Sequence, residues 1–404
     1  MILFNAPKYA MLAKHYSKSQ QVTWSHIIIV LIYLYLLPDF VDSFEKQIEK
    51  ITTGEPYPHI LKKDTFTLNT RNIKVIRAGK KYLWIGTSNG LIRYDTKEEE
   101  QIEVYDNKHQ LLSNGIFAIS LDKNGWPWIG TYGGGLSYFN GSNWKNYNTP
   151  DGLNDAFVYD IAWDKEKIWL ATWSGVNFSN INQDIAKTWA SFTVKNSDGG
   201  LIDDWVYAVE VEKSGRIWFG TESGISTYYK GKWKGLNNTN GLGASYNLVK
   251  EKNREIMSLF KGQHHNASPS IPNIQTADYK PNYIVSMLLD EKNRLWIGTW
   301  GGGLSLLDTK TFKFRNFTTQ DGLPGNFILS IEEDHSGGLW IGTNDGLSLF
   351  DGKKFLNFSR INGLKSKFIF SLEAAQDHSL WVGGHQTLTR IIIDPTSGFP
   401  LNLQ

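Results

Sequence analysis

Seven times along its length the chain repeats one short phrase: an apolar residue, a tryptophan, further apolar residues, glycine and threonine. The fullest copies are LWIGT around Trp84, Trp296 and Trp340, with WIGT around Trp128. Weaker copies are IWLAT around Trp169, IWFGT around Trp218 and LWVGG around Trp381. Successive tryptophans are 44, 41, 49, 78, 44 and 41 residues apart. Strand-like content at a period of roughly 40–45 residues is the mark of a β-propeller, in which each repeat builds one blade. Seven copies predict an all-β, seven-bladed propeller.

The segment around Trp340 shows how one repeat would be laid out. Phe327 to Ile331 is aromatic and β-branched, as suits an innermost strand. Glu333 to Gly338 is a turn cluster, and Leu339 to Thr343 is a second strand, apolar on both faces because blades pack on both sides. Asp345-Gly346 is expected to centre a type I′ hairpin. Leu347 to Asp351 and Lys354 to Phe358 complete the blade, and Asn362-Gly363-Leu364 crosses to the next. Only about twenty residues follow Trp381, too few for a full last blade. The stretch Asp64 to Leu68 reads as the missing outer strand, followed by a loop at 69–72 and an inner strand. The ring is therefore expected to close by this N-terminal strand pairing into the last blade, which removes two free sheet edges.

The long step before Trp296 exceeds a regular one by 34 residues, which places an insertion within about 243–281. It offers Glu255 to Phe260 as an extra strand and His264-His265 as a candidate metal or acid–base pair. Adjacent histidines on an extended chain point opposite ways, which weighs against shared ligation of one ion. Upstream, Lys8, Lys14 and Lys18 precede an apolar run from Ile27 to Leu37, and the first acidic residue is Asp39. Eleven apolar residues suit the hydrophobic region of a signal peptide better than a full membrane span. Residues 1–43 thus read as a signal peptide or N-terminal membrane anchor, 44–63 as a linker, and 64–404 as the propeller. Membrane contact is expected only through the N-terminal segment. The net charge of +2 is interspersed, so a nucleic-acid partner is not expected, and the absence of cysteine excludes disulfides and thiolate metal sites.

The pattern D-x-x-G-x-L-W-I-G-T-x-x-G-G-L, followed by an aromatic and the crossover "DGL", resembles the two-component regulator propeller repeat. Asp290 to Asp308 (DEKNRLWIGTWGGGLSLLD) and Asp334 to Asp351 (DHSGGLWIGTNDGLSLFD) carry the resemblance most fully. In that family such propellers form exported sensor parts of membrane histidine kinases. The resemblance implies periplasmic or extracellular placement and ligand sensing or partner docking. No kinase motif follows the last repeat, so a sensor role here calls for a separate membrane signalling partner.

Candidate ligand contacts fall where the repeat is decorated. The residues just after each threonine should sit on the same face as the crossovers, and there Tyr132, Trp173 and Trp300 are unusual aromatics at hairpin tips, with His385 in the corresponding place of the last repeat. Aligned inner strands begin with Phe157, Trp205, Tyr283, Phe327 and Phe368; Trp205 and Tyr283 are candidates to stack on a sugar or other flat ligand. Two places on, Lys74, Phe117, Tyr159, Tyr207, Val285, Leu329 and Phe370 read as core. At the fourth place Asp160 stands among small residues, either facing a water-filled channel or accepting backbone hydrogen bonds. No nucleophile elbow, P-loop or metal triplet appears, so no catalytic residue, cofactor or metal is assigned. The reading is a non-catalytic ligand-binding module for a small, carbohydrate-like molecule. The alternatives are a protein-interaction scaffold and a propeller lyase or hydrolase with a metal-assisted histidine base.

Overall fold

Every copy of the tryptophan phrase forms the strand paired antiparallel to the inner strand of its repeat: Tyr82–Thr87, Pro127–Thr131, Lys167–Thr172, Ile217–Thr221, Arg294–Trp300, Leu339–Thr343 and Ser379–Gly383. The computed structural model describes residues 60–98, 100–257, 279–359 and 364–393. Residues 1–59, including the segment read as a signal peptide or membrane anchor, lie outside them, as do His264 and His265. The fold is an all-β propeller. Neighbouring inner strands touch in succession around the axis, and the last, Ser371–Ala374, touches the first. Among the described residues no helix is long and apolar enough to cross a membrane.

The sheets do not divide as the repeat count predicts. Five stand alone as four-stranded blades, and the remaining strands form one seven-stranded sheet. The cause is a single long strand, Ile60–Ala78. Its first part pairs with His385–Ile393, setting Asp64 opposite Arg390 and Phe66 opposite Leu388, and its second part pairs with Tyr82–Thr87. The expected loop at 69–72 is absorbed into this strand as a register shift between Thr67 and Asn72. Phe66 then stacks on Trp381 at 6.2 Å, so the N-terminal strand joins the last core as well as its ladder.

Each residue of the repeated phrase has a physical task. The tryptophans at 84, 218, 296, 340 and 381 are fully buried. Trp296 packs with Leu323, Ile328, Ile331 and Phe350 from the next repeat, so its ring joins two blades. Its indole N–H donates to Asp290 Oδ2 at 2.9 Å, and Trp340 does the same to Asp334 at 2.7 Å. Asp334 also accepts from the N–H groups of Ser336 and Gly338, which explains the D-x-x-G turn. The threonine closes the hairpin: Thr343 Oγ1 donates to Gly346 O and accepts from Asp345 N–H. That hairpin is not type I′. Its central residues are Asn344 and Asp345, neither with positive φ, and the left-handed angle of +124° falls on Gly346.

The glycine of the phrase lies opposite the small fourth residue of the inner strand, as Gly342 opposes Ser330. A β-carbon at Gly342 would stand 2.8 Å from Ile369 Cγ2 of the next repeat, and one at Gly86 would stand 2.6 Å from Ile116 Cγ2. Blades therefore approach one another at this level only because a side chain is missing. Lower on the inner strands, glutamates stitch neighbours together. Glu332 Oε1 accepts the Ala374 N–H at 3.1 Å, and Glu373 Oε1 accepts the Ala78 N–H at 2.7 Å. Glu210 binds the backbone of Leu289 in the same manner. Arg77 answers this layer with an ion pair to Glu373 at 3.2 Å. Burial pushes the Glu210 carboxyl up to about 8, with the charge of Asp160 adding to the effect, and burial raises Glu332 and Glu373 as well.

The expected extra strand at 255–260 is absent at its start, because Tyr246–Met257 is a helix. Val249 and Asn253, four residues apart, share its buried face. Asn253 Nδ2 donates to Gly301 O at 2.8 Å, and its Oδ1 accepts from Asn326 Nδ2 at 3.0 Å. The helix is thereby pinned to the hairpin after Thr299 and to the crossover before Phe327.

Two consequences are measurable. Gly342→Ala, which drives a methyl group into Ile369, should lower unfolding free energy by about 1–3 kcal/mol in denaturant titration at unchanged m. Folded Glu210 retains a proton that the unfolded chain releases near pH ~4.3, so its contribution is complete below that pH and is lost as pH rises through about 8. Glu210→Gln, which keeps the acceptor oxygen but not the charge, should flatten the fall in stability between pH 5 and pH 8, by on the order of 2–4 kcal/mol.

Candidate functional site

The axis of the propeller is open, and what faces it is decided by a repeated defect in the inner strands. The ladder between the inner and second strands skips one residue in each of six repeats: Lys74, Phe117, Tyr159, Tyr207, Val285 and Leu329. A bulge of this kind leaves its residue unpaired and re-aims its side chain. These residues, with Phe370, line a central cavity of about 400 Å³. They were expected to be core; instead they are half-buried and form the channel wall. A lysine at one of these places was the sequence signal that the position is not core.

The wall is largely aromatic. Ring centroids run Phe117 to Tyr159 at 4.9 Å, Tyr159 to Tyr207 at 5.0 Å, and Tyr207 to Tyr283 at 4.8 Å. Burial pushes the hydroxyls of Tyr159 and Tyr207 up, and that of Tyr283 up to about 12, so all three are neutral donors across the physiological range. Next to Phe117, where the aromatic arc ends, Lys74 Nζ stands 5.0 Å from the Phe370 ring and 6.0 Å from that of Phe117. Burial holds its ammonium below the ordinary lysine range.

Above the wall, the hairpin and first-position aromatics come together in two groups. Phe157 stacks on Trp173 at 4.5 Å, Tyr132 meets Phe157 edge-on at 4.6 Å, and Trp173 stacks on Trp205 at 5.9 Å. Tyr132 and Trp205 are each about half exposed, at 48% and 49%, so this group presents open ring surface. The second group joins Tyr283 to Trp300 at 5.9 Å and Trp300 to Phe327 at 5.1 Å. Tyr207 links the two groups through Tyr159 and Tyr283. Glu222, in the hairpin after Thr221, adds polarity at this level: it accepts from Tyr207 Oη at 3.4 Å and pairs with Lys280 Nζ at 3.0 Å.

The other candidates separate from this surface. Asp160 accepts the N–H groups of Ile161 and Val209, both at 2.9 Å, so it ties two neighbouring inner strands together while facing the channel. His385 Nδ1 lies 2.8 Å from Asn72 Oδ1 at the seam between the long first strand and the last repeat, away from the aromatic groups. Among the described residues no group of three histidine or acidic side chains is placed to hold a metal ion.

Comparison with known proteins adds the lineage. The two component regulator propeller model matches residues 278–301 and 322–345. A 41-residue stretch, 10% of this chain, is 51% identical to histidine kinase P4 of Formosa agariphila, of which it spans 3%. The extracellular domain of a hybrid two component system from B. thetaiotaomicron superposes with a TM-score of 0.64 at 22% identity, over 82% of this chain and 41% of that one. Virginiamycin B lyase of Staphylococcus aureus superposes at 0.58 with 11% identity, over 82% and 99% respectively, a likeness of fold alone. The chain thus spans less than half the length of the signalling proteins it resembles. Two of its repeats match the two component regulator propeller model in sequence, and the chain folds as a β-propeller.

Proposed function

We propose that this propeller is an exported, ligand-binding sensor module, non-catalytic, that works with a separate membrane signalling partner such as a histidine kinase. We also propose that the seven-stranded sheet counts as two blades sharing their long strand, which gives a ring of seven. One observation carries the functional reading: the continuous aromatic surface from Tyr132 through Phe157 and Trp173 to Trp205, above a cavity of about 400 Å³. The cavity sets an aromatic arc beside convergent polar groups, among them Lys74, Asp160 and Glu210, and concave sites that combine the two are where small molecules bind. Flat ring faces favour a sugar or another planar ligand. Export is supported by the apolar run from Ile27 to Leu37 and by the extracellular placement of the structural relatives. The helix Tyr246–Met257, fastened to the rim by Asn253, would then shape the entrance.

A thermal-shift screen of neutral and acidic sugars tests the reading. A true ligand should raise the melting temperature saturably. Trp173→Ala should weaken its binding by about 10-fold, the scale of a lost stacking contact of roughly 1.4 kcal/mol. A ligand whose affinity is the same for Trp173→Ala and wild type binds elsewhere, and the aromatic mouth is then not the site.

A further inference from the structure

Resting on the ligand-binding reading of the mouth, we propose that the channel selects for an anionic ligand. Lys74 would receive a carboxylate carried on a flat ring, while the ring face lies against the aromatic wall.

The argument begins with what surrounds the ammonium. Lys74 is the bulged residue of its strand, so its side chain leaves the sheet and enters the cavity. The ammonium faces two neutral rings, Phe370 at 5.0 Å and Phe117 at 6.0 Å. Such contacts attract a cation but do not neutralise it. Three other partly buried cations have carboxylate partners: Arg77 has Glu373, Arg294 has Asp290, and Arg390 has Asp377. Among the described residues, no carboxylate stands within 4.0 Å of Lys74. Of the acidic groups in the channel, Asp160 stands one place beyond the bulge of its own strand with its carboxylate oxygens taken by the Ile161 and Val209 N–H groups, and the glutamates lie three places on, ~10 Å along a strand at an extended rise.

A half-buried ammonium without a counter-charge is costly, and in a packed interior it would be replaced or paired. Here open volume lies in front of it, bounded by Tyr159 and Tyr207 on the adjoining arc. A ligand carboxylate reaching Nζ would supply the missing charge, and a charge-assisted hydrogen bond of that kind is among the strong ones. Two neighbouring features fix the rest of the ligand. The rings of Phe117 and Tyr159, 4.9 Å apart, favour a planar or sugar-ring body. Glu222, already paired with Lys280, would repel a second anion at the rim, so the ligand presents one acidic end inward. A ring-borne carboxylate occurs both in sugar acids and in aromatic acids, which share this chemistry.

Titration calorimetry and thermal shift on the full chain separate these cases, with D-glucuronate set against D-glucose and benzoate against benzamide. The acid of one pair should bind about 10-fold or more tightly than its neutral partner, and that pair identifies the source of the ring. Lys74→Met keeps the aliphatic stem between Phe117 and Phe370. It should bring the affinity for the acid down to that of the neutral compound and leave the neutral compound unchanged within about 2-fold. Lys74→Arg should retain most of the preference. Without ligand, Lys74→Met should melt no lower than wild type, because it removes an unpaired buried charge, and this checks folding independently. Equal binding of acid and neutral compound by wild type, or unchanged acid affinity in Lys74→Met, overturns the proposal while the aromatic mouth still stands through Trp173→Ala. Failure of every compound to bind wild type overturns both.

Discussion

Close approach between neighbouring repeats is the constraint on which the rest of this propeller rests. At the glycine of the tryptophan phrase, the second strand of one repeat comes within contact of the inner strand of the next, and a β-carbon would occupy the same space as Ile116, Ile284 or Ile369. That approach brings each buried tryptophan against the following repeat and allows the glutamates to reach a neighbour's backbone. It also sets the bore of the channel. A wider spacing would break the stitching of Glu332 and Glu373, and a narrower one would leave no room for the bulged side chains. The aromatic channel wall is thus a by-product of how tightly the framework can close.

Much of this framework is legible in the sequence because each residue of the phrase has one task that few others can perform. Tryptophan fills the space between repeats, glycine admits the neighbour, threonine ties the hairpin, and the acidic residue upstream caps a turn while accepting an indole N–H. The N-terminal strand could likewise be placed, since Phe66 is one face of an alternating segment with nowhere else to be buried. The clustering of rings was legible for a related reason: Tyr132 and Trp173 at hairpin tips and Trp205 at the start of an inner strand stand out from the repeat, and they do meet.

What could not be read depends on register. A bulge leaves no mark in composition, so Tyr159 and Tyr207 look like the alternate apolar residues of an ordinary strand until the ladder is seen to skip them. The helix Tyr246–Met257 escaped because five of its twelve residues are charged, and it is held as much by polar groups, Asn253 and the pair of Lys252 with Asp345, as by the buried Val249. The seven-stranded sheet escaped for a third reason. A loop and a register shift differ by only a few backbone angles, and the residues from 69 to 72 suit either.

The long strand that belongs to both ends of the ring also determines how the molecule bears load. Ile60 lies opposite Ile393, so the polypeptide enters and leaves the seam at one end of an antiparallel ladder. Tension that separates those two points peels the pair open one hydrogen bond at a time, from Ile60 and Ile393 toward Asn72 and His385, rather than shearing all of them at once. The seam is therefore the compliant joint of an otherwise stiff ring. Any pull transmitted along the chain ahead of Ile60 is delivered first to the strand that, further on, carries Lys74 into the channel.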